Sequence, residues 1–310
     1  MNLSRIIIIL LSLLSLNTVI CQINCGAKIS FLKEDSIALS FSNLKYKNHI
    51  ELAKLLTSDI NNELSKFRVI YRWIAENIEY DAFYKSSNAE KVLKTGKAVC
   101  EGYSALLKQM CVSVGLKCEI VKGFSSQVRE QIKEKNTKPD HSWNTVFLNG
   151  KWQLCDVTWS AGYLDERTEK MSKRFSDTYF LMEPKKFIQT HYPENSTWQL
   201  LDTILSKSYF QKIPIYYPAY YDFNLQGLFP SNENIKLKLK DTLTLKFKTD
   251  CEIDSVNMEL IGKVKRYSSE LKEISKNNYV VKQKFDESGE NDLIIYLNRR
   301  AILGYKLKSD

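Results

Sequence analysis

Hydrophobic residues recur with a helical period through the first third of the chain and with a strand period after it. Ile50, Ala53, Leu55 and Leu56 predict one short helix within residues 46–79. Leu64, Phe67, Ile70, Tyr71, Ile74 and Ile78 predict a longer one. Asn88 is placed to cap a further short helix through Leu93, with Gly96 as its stop. Tyr103, Leu106, Leu107, Met110, Cys111 and Val114 share one face of a helix that opens near Cys100 and stops at Gly115. The period then changes to two. Strands are expected at 117–124, 141–148 and 151–158, the last two joined by Asn149-Gly150, a strong two-residue hairpin signal. The polar stretch 125–140 reads as a flexible surface loop. Residues 206–232 are rich in Tyr and Pro without a period and read as a connector. From Asn234 onward, short alternating runs separated by polar turns predict a small β-sandwich of Ig-like type. The expected organisation is a leader at 1–21, a first domain at 22–205, the connector, and the sandwich at 233–310.

Composition narrows the class. The chain has 310 residues, 44% of them hydrophobic, which suffices for a sizeable core in each of two domains. The formal net charge is +9, but the lysines and arginines are scattered, so they read as solvated faces and not as a nucleic-acid site. At the N-terminus, Arg5 precedes the apolar run Ile6–Leu16, which is short for a membrane span and has the length of a signal segment. The expectation is an exported protein, periplasmic or secreted to the cell surface, with no membrane association after the leader is removed. Ile20 stands where a lipobox takes a small residue, which argues against a lipid anchor at Cys21. Cys25, Cys100, Cys111, Cys118, Cys155 and Cys251 remain, without a CxxC pair. With three histidines in all, no metal site and no cofactor is expected.

One stretch resists a purely structural reading. Gly96-Lys-Ala-Val-Cys100-Glu-Gly-Tyr103 puts a thiol where a turn enters a helix, and Cys100 lies off the helix's apolar stripe. Cysteine attacks as the thiolate, and a helix N-terminus or a neighbouring imidazolium lowers its pKa from about 8.5. His141 and Asp156 follow on the two hairpin strands. With the Asn-Gly turn, Leu148 faces Lys151, so Trp143 would face Asp156 and His141 would face Thr158. His141 and Asp156 then lie diagonally on one face, at the roughly 7–8 Å that a carboxylate and an imidazole can bridge. Those residue types suit a nucleophile (Cys100), a base (His141) and an orienting acid (Asp156).

Gly-Lys-Ala-Val-Cys100-Glu-Gly-Tyr103, His141-Ser-Trp143 and Asp156-Val-Thr-Trp159 together resemble the three motifs of the transglutaminase-like superfamily. The run from Tyr71 to Asp81, and the segment through Asp177–Met182, His191, Pro193 and Trp198-Gln-Leu-Leu201, resemble its kyphoscoliosis peptidase/cytokinesis-protein branch. The resemblance covers residues 45–202. It implies an α+β fold with a papain-like transglutaminase core, helices packed on an antiparallel sheet, followed by a small β-sandwich. It also implies Cys100, His141 and Asp156 as the catalytic set, acting on protein or peptide amides through a Cys thioester. Tyr80, Tyr103, Trp143, Trp159 and His191 are expected at the substrate rim. The alternative on the same fold is a non-catalytic module that binds protein or glycan.

Overall fold

The computed structural model describes residues 30–42, 46, 48–126, 138–165, 170–263 and 265–310. The leader segment at 1–21 and most of the loop at 125–140 lie outside the described residues. Among those described, no helix is long and apolar enough to cross a membrane.

The first unit packs helices on one antiparallel sheet. Its helices include α1 (Leu32–Ser40), α2 (His49–Leu56), α3 (Glu63–Asn77), α4 (Ala89–Thr95), α5 (Cys100–Ser113) and α6 (Val157–Ala161). Short strands β1 (Glu79–Tyr80) and β2 (Lys97–Ala98) pair in parallel just before α5. The sheet comprises β3 (Lys117–Ser125), β4 (His141–Leu148), β5 (Lys151–Cys155) and, after a small hairpin of β6 (Gly162–Asp165) and β7 (Lys170–Lys173), β8 (His191–Pro193). Its order is β5-β4-β3-β8. The buried stripe of α3, including Phe67, Ile70, Tyr71 and Ile74, meets Leu106, Leu107 and Met110 of α5 in one core cluster. In α2 the buried face is His49, Leu52, Ala53 and Leu56, whereas Ile50 and Leu55 are exposed. The sequence pattern missed this face because a histidine, not an apolar residue, holds its first position.

Local signals explain the helix ends. The side chains of Asn48, Asn62 and Asn88 each accept a backbone N–H in the first turn of α2, α3 and α4. Gly96 closes α4 in the left-handed conformation at φ 68°. Two closely approached glycines position the later elements. A Cβ on Gly102, in the first turn of α5, would lie 2.6 Å from Ser86 O and 2.7 Å from Ala98 Cβ. One on Gly123, in β3, would lie 2.3 Å from Tyr192 O and 2.5 Å from Trp143 Cη2.

The second unit consists of two sheets around one core cluster. Thr242–Lys248 alternates exposed and buried residues without a break, which places its lysines outside and Leu243, Leu245 and Phe247 inside. Residues 206–232 are not a free connector. Ile215–Tyr216 pairs with the long strand Arg300–Ser309, and Gln226–Leu228 pairs with Thr242–Lys248. Lys207–Lys212 and Pro218–Asp222 are short helices. Phe210 and Ala219 on these helices, and Phe223 just after the second, are buried without a period because each element is only a few residues long. Asp222 joins the two units. Its carboxylate accepts from Thr178 Oγ1 (2.8 Å) and pairs with Arg300.

Gly123→Ala is expected to cost about 1–3 kcal/mol, the range for overpacking a tight site. Chemical denaturation of the two proteins checks this, and an unchanged midpoint would show that β3 and β8 can part without cost.

Candidate active site

Asp156 lies where a strand gives way to a helix. The hairpin pairs Asn144 with Cys155 and Leu148 with Lys151, as the Asn-Gly turn dictates, with Asn149 and Gly150 at φ 51° and 80°. The ladder stops at Cys155. Asp156 then caps α6, its Oδ1 accepting from the N–H groups of Thr158 (2.8 Å) and Trp159 (3.2 Å). The strand expected at 151–158 is therefore shorter, and Thr158 does not face His141. An Asp cap competes with the ladder for the same backbone and wins, and its place ahead of Val-Thr-Trp was a readable signal. From α3, Tyr71 braces this corner by donating to the Asp156 carbonyl (2.8 Å), with Ser160 Oγ 2.7 Å away.

The carboxylate itself is fully buried. Its Oδ2 meets His141 Nε2 at 2.7 Å and His191 Nε2 at 3.1 Å. His141 begins β4, opposite Gly123 of β3, and His191 begins β8, opposite Ser125 of the same strand. Strand β3 thus presents both imidazoles to one acid. Cys100 is the first residue of α5 and is only partly buried, whereas Cys111, Cys118 and Cys155 are interior thiols. The preceding Val99 offers no side-chain cap, which leaves the positive end of the helix at the sulfur.

The electrostatics are ordered. Burial opposes ionisation of Cys100, but its hydrogen bond to His141 and the His141 charge, with bonds to Ser142, bring its pKa below the ordinary thiol value. Burial likewise opposes a charged His141. Here the Asp156 charge and hydrogen bond, then the Cys100 thiol, outweigh it and lift the pKa to about 10. For Asp156, burial is overcome by the charge and bond of His141 and then the bond of His191, which hold the carboxyl well below the usual range. His191 goes the other way. Burial and repulsion from His141 exceed the bond to Asp156 and lower it to about 4.

The expected rim residues divide. Tyr80 on β1 is half-buried, and burial together with the nearby Cys100 charge raises its phenol pKa. Trp159 is part-exposed with its ring 5.4 Å from His141. Tyr103, Trp143 and His191 are interior residues and not rim residues. Tyr103 points to the core side of α5, where its hydroxyl donates to Ile78 O (2.6 Å). Trp143 packs edge-on against His191 at 5.0 Å. His191, expected at the rim, is a strand residue on the carboxylate, and only the non-local pairing of β8 with β3 reveals it.

His141, Asp156 and His191 also form a group of metal-capable side chains, with ligand atoms within 4.8 Å of one another. Both Nε2 atoms face Oδ2, and Oδ1 is taken by the α6 amides. The donors are already committed to each other, so the arrangement suits proton chemistry and not a metal ion.

The pH dependence of stability follows from these shifts. His141 is raised, so its contribution is complete below about 6.5, its unfolded value, and is lost as pH climbs to about 10. Asp156 and His191 are lowered, so theirs are present above their unfolded values of about 4 and 6.5 and are lost on acidification. Thermal melts across pH should peak between about 6 and 7. Asp156→Asn should flatten the alkaline decline; a decline as steep as in the native protein would contradict the pairing.

Residues 50–157 match the family model of the Transglutaminase-like superfamily. Kyphoscoliosis peptidase of Mus musculus is 34% identical over 203 residues, covering 63% of this chain and 31% of its own length. Hillarin of Drosophila melanogaster is 26% identical over 213 residues, covering 64% of this chain and 26% of its own. Cytokinesis protein 3 of Schizosaccharomyces pombe is 23% identical over 197 residues, covering 62% and 22%. The chain thus spans 31% or less of the length of these relatives. Cys100, His141 and Asp156 all fall inside the matched stretch, and His191 falls beyond it. With its α+β architecture and this match, the chain carries a transglutaminase-like superfamily domain.

Proposed function

We propose that the chain is an exported cysteine enzyme, a protease or acyltransferase, that cleaves or transfers peptide or glutamine amides through a thioester on Cys100. One observation carries this reading. The thiol at the start of α5 lies beside an imidazole that lowers its pKa, and Nε2 of that imidazole is held 2.7 Å from a buried carboxylate.

With Nε2 turned to Asp156, His141 has Nδ1 left for the sulfur. His141 is already the imidazolium at rest, the Cys100 thiol ionises beside it, and the thiolate attacks the amide carbonyl carbon. Negative charge gathers on the carbonyl oxygen, for which the uncapped backbone N–H groups at the start of α5 are the nearest helix-end donors. The C–N bond breaks, His141 gives its proton to the leaving amine, and a thioester remains. Water or a second amine then attacks it, with His141 taking the proton. Tyr80 and Trp159 flank the thiol and imidazole as walls for the substrate chain. The disulfide bond at Cys251 supports an oxidising compartment. The binding-module alternative finds no specific support, because the ionic order from Cys100 through His141 to Asp156 is complete.

Incubation with dimethylcasein and a dansylated amine reads both outcomes, as amine incorporation or as new fragments. The native chain should form at least one product, and Cys100→Ala should lower its rate by at least about 1,000-fold while its circular dichroism stays native. Native-rate product from Cys100→Ala would overturn the assignment.

A further inference from the structure

Beyond the three motif residues stands a fourth polar side chain without an assigned role. His191 is completely buried, yet it donates no bond to solvent and lines no opening. Its imidazole is gripped on every side. Phe187 stacks on it at 4.1 Å with an interplanar angle of 21°, Trp143 meets it edge-on at 5.0 Å, and Trp159 lies 4.5 Å away. Its Nδ1 is 2.8 Å from Thr190 Oγ1 and its Nε2 is 3.1 Å from Asp156 Oδ2.

We propose that His191 is a positioning residue for the Cys100–His141 pair: a neutral Nε2–H donor, keyed by Thr190, that fixes the Asp156 oxygen on which His141 turns. The proposal rests on the catalytic reading of Cys100 above.

Hydrogen-bond accounting gives the tautomer. An ionised carboxylate only accepts, so the His191 proton facing Asp156 sits on Nε2. Nδ1 is then an acceptor, and the Thr190 hydroxyl turns its proton to this nitrogen at 2.8 Å in preference to the Phe187 carbonyl at 3.2 Å. The groups that titrate or carry charge around His191 are Asp156 at the α6 cap, His141 on β4, Tyr179 from the 3-10 turn Asp177–Tyr179 (ring centroids 5.6 Å apart), and Asp140 ahead of β4. Asp140 is occupied with Ser125, accepting from its N–H (3.0 Å) and its hydroxyl (2.7 Å). His141 supplies the single positive charge that pairs with Asp156. A second imidazolium on the same oxygen would repel the first with no water to screen it. A neutral donor adds a hydrogen bond without that repulsion, so Asp156 keeps one charge partner and one neutral anchor. Without the anchor, Oδ2 could rotate away from His141, and the imidazole would lose the bond that aims Nδ1 at the thiol.

The test uses the full chain and needs no substrate. Cys100 is the part-exposed free cysteine among the described residues, so iodoacetamide alkylation followed by peptide mass spectrometry reports on it. In the native protein the midpoint of the rate-versus-pH curve should lie below the free-thiol value of about 8.5. His191→Phe keeps the packing and removes the donor. It should raise the midpoint by about one unit and slow alkylation at pH 6 about tenfold. His191→Gln restores an amide donor and should stay within about threefold of native at that pH. If His191→Phe does not fold, Thr190→Val serves instead. It removes the proton that Nδ1 accepts and so frees the ring to turn from Oδ2, and it should shift the midpoint in the same direction. A native-like midpoint in folded His191→Phe or Thr190→Val, or a His191→Gln curve as displaced as that of His191→Phe, overturns the positioning role alone. A native midpoint at the ordinary thiol value overturns the catalytic reading and this inference together.

Discussion

A carboxylate removed from water must be surrounded by donors, and the rest of the site is arranged to meet that demand at Asp156. Its two oxygens take four hydrogen bonds from three elements: His141 on β4, His191 on β8, and two amides of α6. A buried charge left unpaired is strongly destabilising, so each of these elements is held to the others by the same negative centre. Tyr71 extends the demand to α3 by fixing the carbonyl of the same residue. The arrangement makes the acid part of the architecture as well as part of the site.

The thiol reaches this centre by backbone fit. Gly102 lets the first turn of α5 seat against Ser86 and Ala98, and Gly123 lets β8 and Trp143 close on β3. Together they bring the sulfur at one helix end and two imidazoles from neighbouring strands to one acid. The charge order follows from that placement: one imidazolium, one carboxylate, one neutral imidazole, and a thiol whose proton is easily given up.

Local signals made much of this legible in the chain. Asn149-Gly150 determines which face of the hairpin His141 occupies, because a one-residue slip would invert every side chain, and the pairing from Leu148–Lys151 to Asn144–Cys155 obeys it. Asparagine caps and Gly96 mark the helix ends for equally local reasons. The unread parts are non-local. His191 sits 35 positions from Asp156 and reaches it only through the β3–β8 pairing, which no periodicity encodes. Tyr103 and Trp143 looked like rim aromatics because proximity to Cys100 and His141 in sequence says nothing about which way they face. In residues 206–232 the elements are two to six residues long, too short to show a period, so strands that complete both sheets of the second unit resembled a linker.

The central claim is that Asp156 receives Nε2–H from two imidazoles in different charge states. Nitrogen-15 NMR of the side-chain imidazoles at pH 7 tests it directly, with three histidines to assign. The account predicts protons on Nε2 of both His141 and His191, with His141 also protonated on Nδ1 and His191 bare there. A His191 that carries its proton on Nδ1, or a His141 that is neutral in the resting protein, would contradict it.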